Sequence, residues 1–370
     1  MKRIAAVVAL CLVACGHGTA PTPQQHIALP PGSSLKPFDS TKPGEARPLY
    51  TAQLGGRVYA TLSNARAQGN FVVTAGPGFL ASIDPFSGRV DAIDLGGSDG
   101  HQCTNPGVVR ADAGKLYVVC SGDFSGSTPG RGLLEVDAAA AAVSRIVVTP
   151  SGIVPSGVAV ATPKIWLGDS HTPQLVSVDR TTFTAVDGAD GAHPAIPVPC
   201  PSGGFPYVPY VGIVSSDLYA LCATGDAGVL ARFDATTGAL KESVAVGASP
   251  TEFTVTGDGR IAVVNSNDNT LTLVTAGSTL TAQRGLTFSS STATLQDVKA
   301  RNQFVYTVAS GSNTVQKIDL AAAGGAKVVA EANTGANSNP FNLEPLDDDT
   351  VLVVNYVTSD VVTRTLKTTQ

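Results

Sequence analysis

His101, His171 and His193 are the side chains of this sequence best suited to metal chemistry. Three neutral imidazoles around one ion would leave a position open for water, as catalytic zinc sites do. They come from separate stretches of chain, so such a centre exists only if the fold brings their rings together. Asn265-Ser266-Asn267-Asp268-Asn269 imitates the start of a calcium loop, but without its glycine and distal glutamate it reads as a turn. No G-x-S-x-G, H-E-x-x-H, phosphate-loop or complete calcium-loop motif is present. The residues point to binding rather than catalysis and call for no cofactor. A metal-dependent hydrolase or lyase is the alternative.

Binding chemistry is concentrated in the longest polar stretches, 96–106, 121–132 and 187–210. They hold Asp123, Phe124, Arg131, Phe205, Tyr207 and Tyr210, and long loops on a rigid scaffold are where recognition residues usually sit. Gly122-Asp123, Gly168-Asp169 and Gly225-Asp226 recur in the same setting and are explained by Asx-type turns closing hairpins. Cys103, Cys120, Cys200 and Cys222 allow three pairings. The flanks of Cys120 (Leu116-Tyr117-Val118-Val119) and of Cys222 (Leu218-Tyr219-Ala220-Leu221) match, which selects Cys103–Cys120 with Cys200–Cys222. A four-cysteine metal site is the rival, and it lacks C-x-x-C spacing.

The elements that must position these residues form a repeat. An apolar run, a turn and a second apolar run begin at Phe71, Leu116, Ile165, Leu218, Ile261, Val305 and Val351, roughly 43 to 53 residues apart. That is the period of a four-stranded propeller blade, which cannot bury its apolar faces alone. Thr251–Thr256, Arg260–Val264 and Thr270–Val274 read as three strands joined by the turns Gly257-Asp258-Gly259 and 265–269. Val263-Val264-Asn265 and Thr314-Val315-Gln316-Lys317-Ile318-Asp319 resemble the YVTN-type β-propeller repeat. The resemblance implies an all-β ring of seven antiparallel four-stranded blades in a monomer, with eight blades as the competitor. It also implies that loops entering first strands and loops joining second to third strands share one upper face, where the three histidines and the long loops would gather. The last copy lacks an outer strand, which 48–62 is expected to supply, closing the ring from the N-terminal side. Asp84-Pro85-Phe86-Ser87-Gly88 and Asp234-Ala235-Thr236-Thr237-Gly238 resemble turns of the outer-membrane barrel-assembly lipoprotein family, whose docking tryptophan is missing from those repeats. Trp166 is expected to lie elsewhere in its blade.

At the N-terminus, Lys2 and Arg3 precede an apolar run from Ile4 to Val13, too short to span a bilayer and shaped like a secretory leader. It ends in Leu12-Val13-Ala14-Cys15, which resembles a bacterial lipobox. The resemblance implies cleavage before Cys15, acylation of that residue, and an outer-membrane envelope location, because Gly16 rather than Asp follows. The expected organisation is a leader over 1–14, a lipidated and proline-rich tether over 15–48, and the propeller over 49–370. His17 and His26 would then lie in the tether. The formal charge is −5, and loss of Lys2 and Arg3 makes it −7. With no basic cluster, nucleic acid is excluded as a partner. The expected partners are an envelope protein or glycan, with the membrane reached only through the lipid.

Overall fold

The computed structural model describes residues 22–30, 45–68, 72–98, 102–122, 130–289 and 293–368, and these contain strands and turns but no helix. Seven antiparallel sheets of four strands follow one another around a ring. Blade one comprises Pro48–Leu54, Arg57–Leu62, Phe79–Ile83 and Val90–Asp94 from the axis outwards. The innermost strands of the next five blades are Pro106–Asp112, Pro155–Val160, Tyr207–Val214, Pro250–Val255 and Leu295–Arg301. Blade seven begins with Pro340–Pro345. Second strands such as Thr350–Asn355 are buried almost throughout, because a blade is covered on both faces by its neighbours. Outer strands alternate instead, as Ala142–Val148 does. Seven apolar clusters result, one between each adjacent pair of blades, including blades seven and one.

The first blade and the closure differ from the sequence expectation. The apolar phrase at Phe71 does not open blade one. Val72–Ala75 pairs with Ala65–Gln68 in a separate hairpin inserted between that blade's second and third strands. Residues 48–62 instead form the first two strands of blade one, joined by Gly55-Gly56, whose φ values of 59° and 78° suit a two-residue hairpin turn. The closing strand is His26–Ala28, within the stretch expected to be a tether. It pairs with the third strand of blade seven, Ile27 opposite Val361. Ile27 is buried between blades seven and one, a burial that contributes about 1.5–3 kcal/mol. His26 Nε2 lies 2.9 Å from Asp360 Oδ2, and Thr363 Oγ1 donates to the Gln24 carbonyl.

Trp166 also departs from expectation. From blade three its Nε1 donates to the Ala235 carbonyl, 2.7 Å away, inside the Asp234–Gly238 turn of blade four. A Cβ on Gly238 would come within 2.8 Å of the indole. The tryptophan therefore docks on an Asp-x-x-Thr-Gly turn, but on the next blade's.

Both disulfides are formed as the repeat implied, Cys103–Cys120 and Cys200–Cys222. Each ties the approach to an innermost strand to the end of the second strand beside it.

Candidate functional site

The upper end of the ring is assembled from one local irregularity repeated seven times. Five innermost strands open on proline, at Pro48, Pro106, Pro155, Pro250 and Pro340. Proline has no N–H to contribute, so the chain leaves the ladder there without wasting a donor. Arg47, Asn105, Ser249 and Asn339, just before these prolines, have φ near 50°. Their carbonyls accept the N–H of a residue at or just past the end of the second strand: Ser63, Ser121, Ser266 and Tyr356 respectively. Immediately after, every innermost strand slips in register against its neighbour. A bulge of this kind re-aims side chains away from the pleat.

The residues within the slips are the ones that line the upper mouth. Leu49, Tyr50, Gly107, Ser156, Pro209, Thr251, Gln296 and Phe341 surround a cavity of about 270 Å³, with Asn105, Ser121, Ser170 and Tyr207 completing it. Tyr50 and Phe341 meet edge to face with centroids 5.4 Å apart. A neighbouring recess of about 310 Å³ is formed by Ser170, His171, Phe205 and Tyr207. Two residues are shared, so mouth and recess form one surface over blades three and four. Phe205 is 92% exposed there, a large apolar ring left in water.

One layer deeper, the same strands carry charge. Lys299 Nζ lies 2.7 Å from Glu252 Oε1 and 3.1 Å from Asp297 Oδ1. Arg110 reaches Glu252 at 3.5 Å and stacks over the Tyr210 ring. Asp297 Oδ2 accepts the Leu343 N–H at 2.8 Å, and Thr51 Oγ1 lies 3.0 Å from Glu344 Oε1. Burial, and then the charge of Glu252, push the Asp297 carboxyl well above the usual range. Burial alone would raise Glu252 too, but Lys299 and Arg110 outweigh it and hold that carboxyl low. Burial also raises Glu344. The fold thus keeps Glu252 ionised between two cations and favours a proton on Asp297. Glu252 and Asp297 are at most 1% exposed, so this acid–base pair is sealed from any substrate approaching the mouth. Beyond it, at the lower end, Arg110, Asp112, Tyr210, Ile213 and Phe253 help line a cavity of about 250 Å³.

Tyr207, Phe205 and His171 come together on the upper surface. His193 is bonded to Asp190 through Nδ1 at 2.6 Å, away from that surface's lining. Arg131 is buried and donates to the carbonyls of Pro150 and Ile153. Tyr210 is buried against Phe253 and faces the lower cavity. His101, Asp123, Phe124 and Cys15 lie outside the described residues. Among the described residues, no group of three or more His, Cys, Asp or Glu could hold a metal ion. Asp169 takes the expected turn-closing role, accepting N–H groups of Val154 and His171.

The mouth residues Tyr50, Ser156, Thr251, Gln296 and Phe341 were not among the sequence candidates, nor was the charged layer. For Ser156, Thr251 and Phe341 a signal was present, since each follows a strand-opening proline.

The sequence matches no protein-family model and no curated protein. Solved structures do match. The chain is similar to a hydrazine synthase structure from Kuenenia stuttgartiensis, at 14% identity and TM-score 0.66, over 90% of this chain and 99% of that one. It is a seven-bladed β-propeller. Virginiamycin B lyase from Staphylococcus aureus matches at 13% identity and TM-score 0.64, over 87% and 96% of the two chains. BamB from Moraxella catarrhalis matches at 13% identity and TM-score 0.50, over 86% and 84%. At such identities the likeness concerns the fold alone.

Proposed function

We propose that this protein is a lipid-anchored component of the bacterial envelope, a binding scaffold whose propeller holds a partner at the upper mouth and catalyses no reaction on it.

 The observation that carries this reading is the mouth itself, to which all seven blades contribute the residues of their bulges. A rigid ring displaying aromatic rings and polar groups at its centre is preorganised, so little ordering entropy is lost when a partner docks. The disulfides support this by fixing segments next to Asn105, Ser121 and Tyr207. The sealed acid–base pair supports binding over chemistry, since the carboxyls of Glu252 and Asp297 are shut off from a ligand in the mouth. A leader cleaved before Cys15 supports delivery to the envelope, with two or three acyl chains giving firm anchorage.

The test is a pull-down from solubilised envelope with the full chain, compared with its Phe205→Ala/Tyr207→Ala double variant. The variant is expected to melt like the parent and to lose the retained material. Equal retention by both proteins would refute the upper mouth as the binding surface. For the anchor, Cys15→Ala is expected to abolish incorporation of labelled palmitate, and undiminished labelling would contradict it.

A further inference from the structure

We infer that the ligand of the upper mouth is an uncharged carbohydrate, bound by the end of its chain; this rests on the mouth being the binding surface proposed above. The first observation is charge. None of the twelve side chains or backbone segments lining the mouth belongs to a charged residue. The ionic groups of the layer below are paired with one another. A charged ligand would give up hydration here and find no counter-charge.

The second observation is the direction of the hydrogen bonds. Ser121 Oγ donates to the Pro155 carbonyl at 2.8 Å and Ser170 Oγ to the Val154 carbonyl at 3.1 Å. Ser156 Oγ donates to the Val208 carbonyl, and Gln296 Nε2 donates to Ser310 Oγ at 3.2 Å. A hydroxyl has one proton, so each serine spends its donor on the scaffold and keeps lone pairs for a ligand. Gln296 keeps its carbonyl oxygen and one N–H. The three serines and Gln296 therefore present free acceptors to the mouth, matched by a ligand rich in O–H donors.

The third observation is the aromatic content. Tyr50, Phe341, Tyr207 and exposed Phe205 provide apolar faces beside those acceptors. A pyranose ring has both complements: hydroxyls around its edge and C–H groups on its faces. A purely apolar ligand would cover the acceptors and leave them unpaired, a costly arrangement. The mouth and the recess are each at the small end of ligand-site volumes, which suits one or two sugar rings at a chain end rather than the flank of a long polymer.

Calorimetric titration of the full chain tests this, in a detergent without a sugar headgroup. The probes are chitotetraose, cellotetraose and maltotetraose, with tetragalacturonate as the acidic control. At least one neutral tetrasaccharide is expected to bind saturably, and tetragalacturonate is not. Tyr207→Ala and Gln296→Leu, the latter preserving volume while removing an acceptor, should each weaken binding about tenfold with melting unchanged. No heat from any neutral probe up to on the order of 10 mM overturns the inference, as does binding indifferent to both substitutions. Protease digestion of the envelope material retained in the pull-down separates the two levels. Mouth-dependent material destroyed by protease overturns the carbohydrate and leaves the binding surface standing. Retention independent of the mouth overturns both.

Discussion

The upper mouth is built by all seven innermost strands and the charged layer beneath it by four of the same strands, one to three residues further along, yet they have opposite chemistry. Thr251 faces the mouth and Glu252 the layer; Gln296 and Asp297, and Phe341 and Asn342, divide in the same way. The bulge makes the division possible, because it lets successive residues serve different levels of the channel. The layer's groups satisfy one another and hold several blades together at the axis. The mouth's groups leave acceptors and rings unsatisfied. One level is therefore expected to matter for stability and the other for binding.

The largest effect should come from the layer. Lys299→Met leaves Glu252 and Asp297 without their shared cation and should cost about 3–5 kcal/mol in denaturant unfolding. A loss below about 1 kcal/mol, the usual range of an exposed ion pair, would show that the layer does not hold the ring together. Next in size is the Cys103–Cys120 bridge, whose removal by a double serine substitution should cost about 3 kcal/mol. An unchanged unfolding midpoint would contradict that.

A smaller effect sharpens the protonation assignment. The folded state raises the Asp297 pKa, so the stability this group contributes is fully present below its unfolded value, near 4, and is lost as pH rises through the folded value. Asp297→Asn mimics the protonated acid and does not titrate. The variant should therefore gain stability relative to the parent as pH rises from 4 to 8. A relative loss over that interval would mean that Asp297 is ionised in the fold.

These levels were unequally legible in the sequence. The second strands of blades two to seven and the disulfides rest on local patterns, such as the apolar run ending at Cys120 and its counterpart at Cys222, and those were read correctly. The frame of blade one was misread because the inserted hairpin at 72–75 carries the same apolar phrase as a true second strand. The closing strand escaped notice because His26–Ala28 has a single buried residue and pairs with a partner at the far end of the chain. The charged layer was hidden for a related reason. Glu252, Asp297, Lys299 and Arg110 look like solvated positions on separate strands until ring closure brings them to one axis. The mouth could have been found by aligning the strand-opening prolines, since Ser156, Thr251 and Phe341 each follow one.

The central claim is that the partner sits at the upper mouth. Hydrogen–deuterium exchange of the full chain, with and without the envelope fraction it retains, tests it most directly. Protection is expected at 103–107, 168–171 and 205–210, with none at 110–112, 158–160 or 253–255. Protection confined to those lower segments, or to the outer strands, would contradict it.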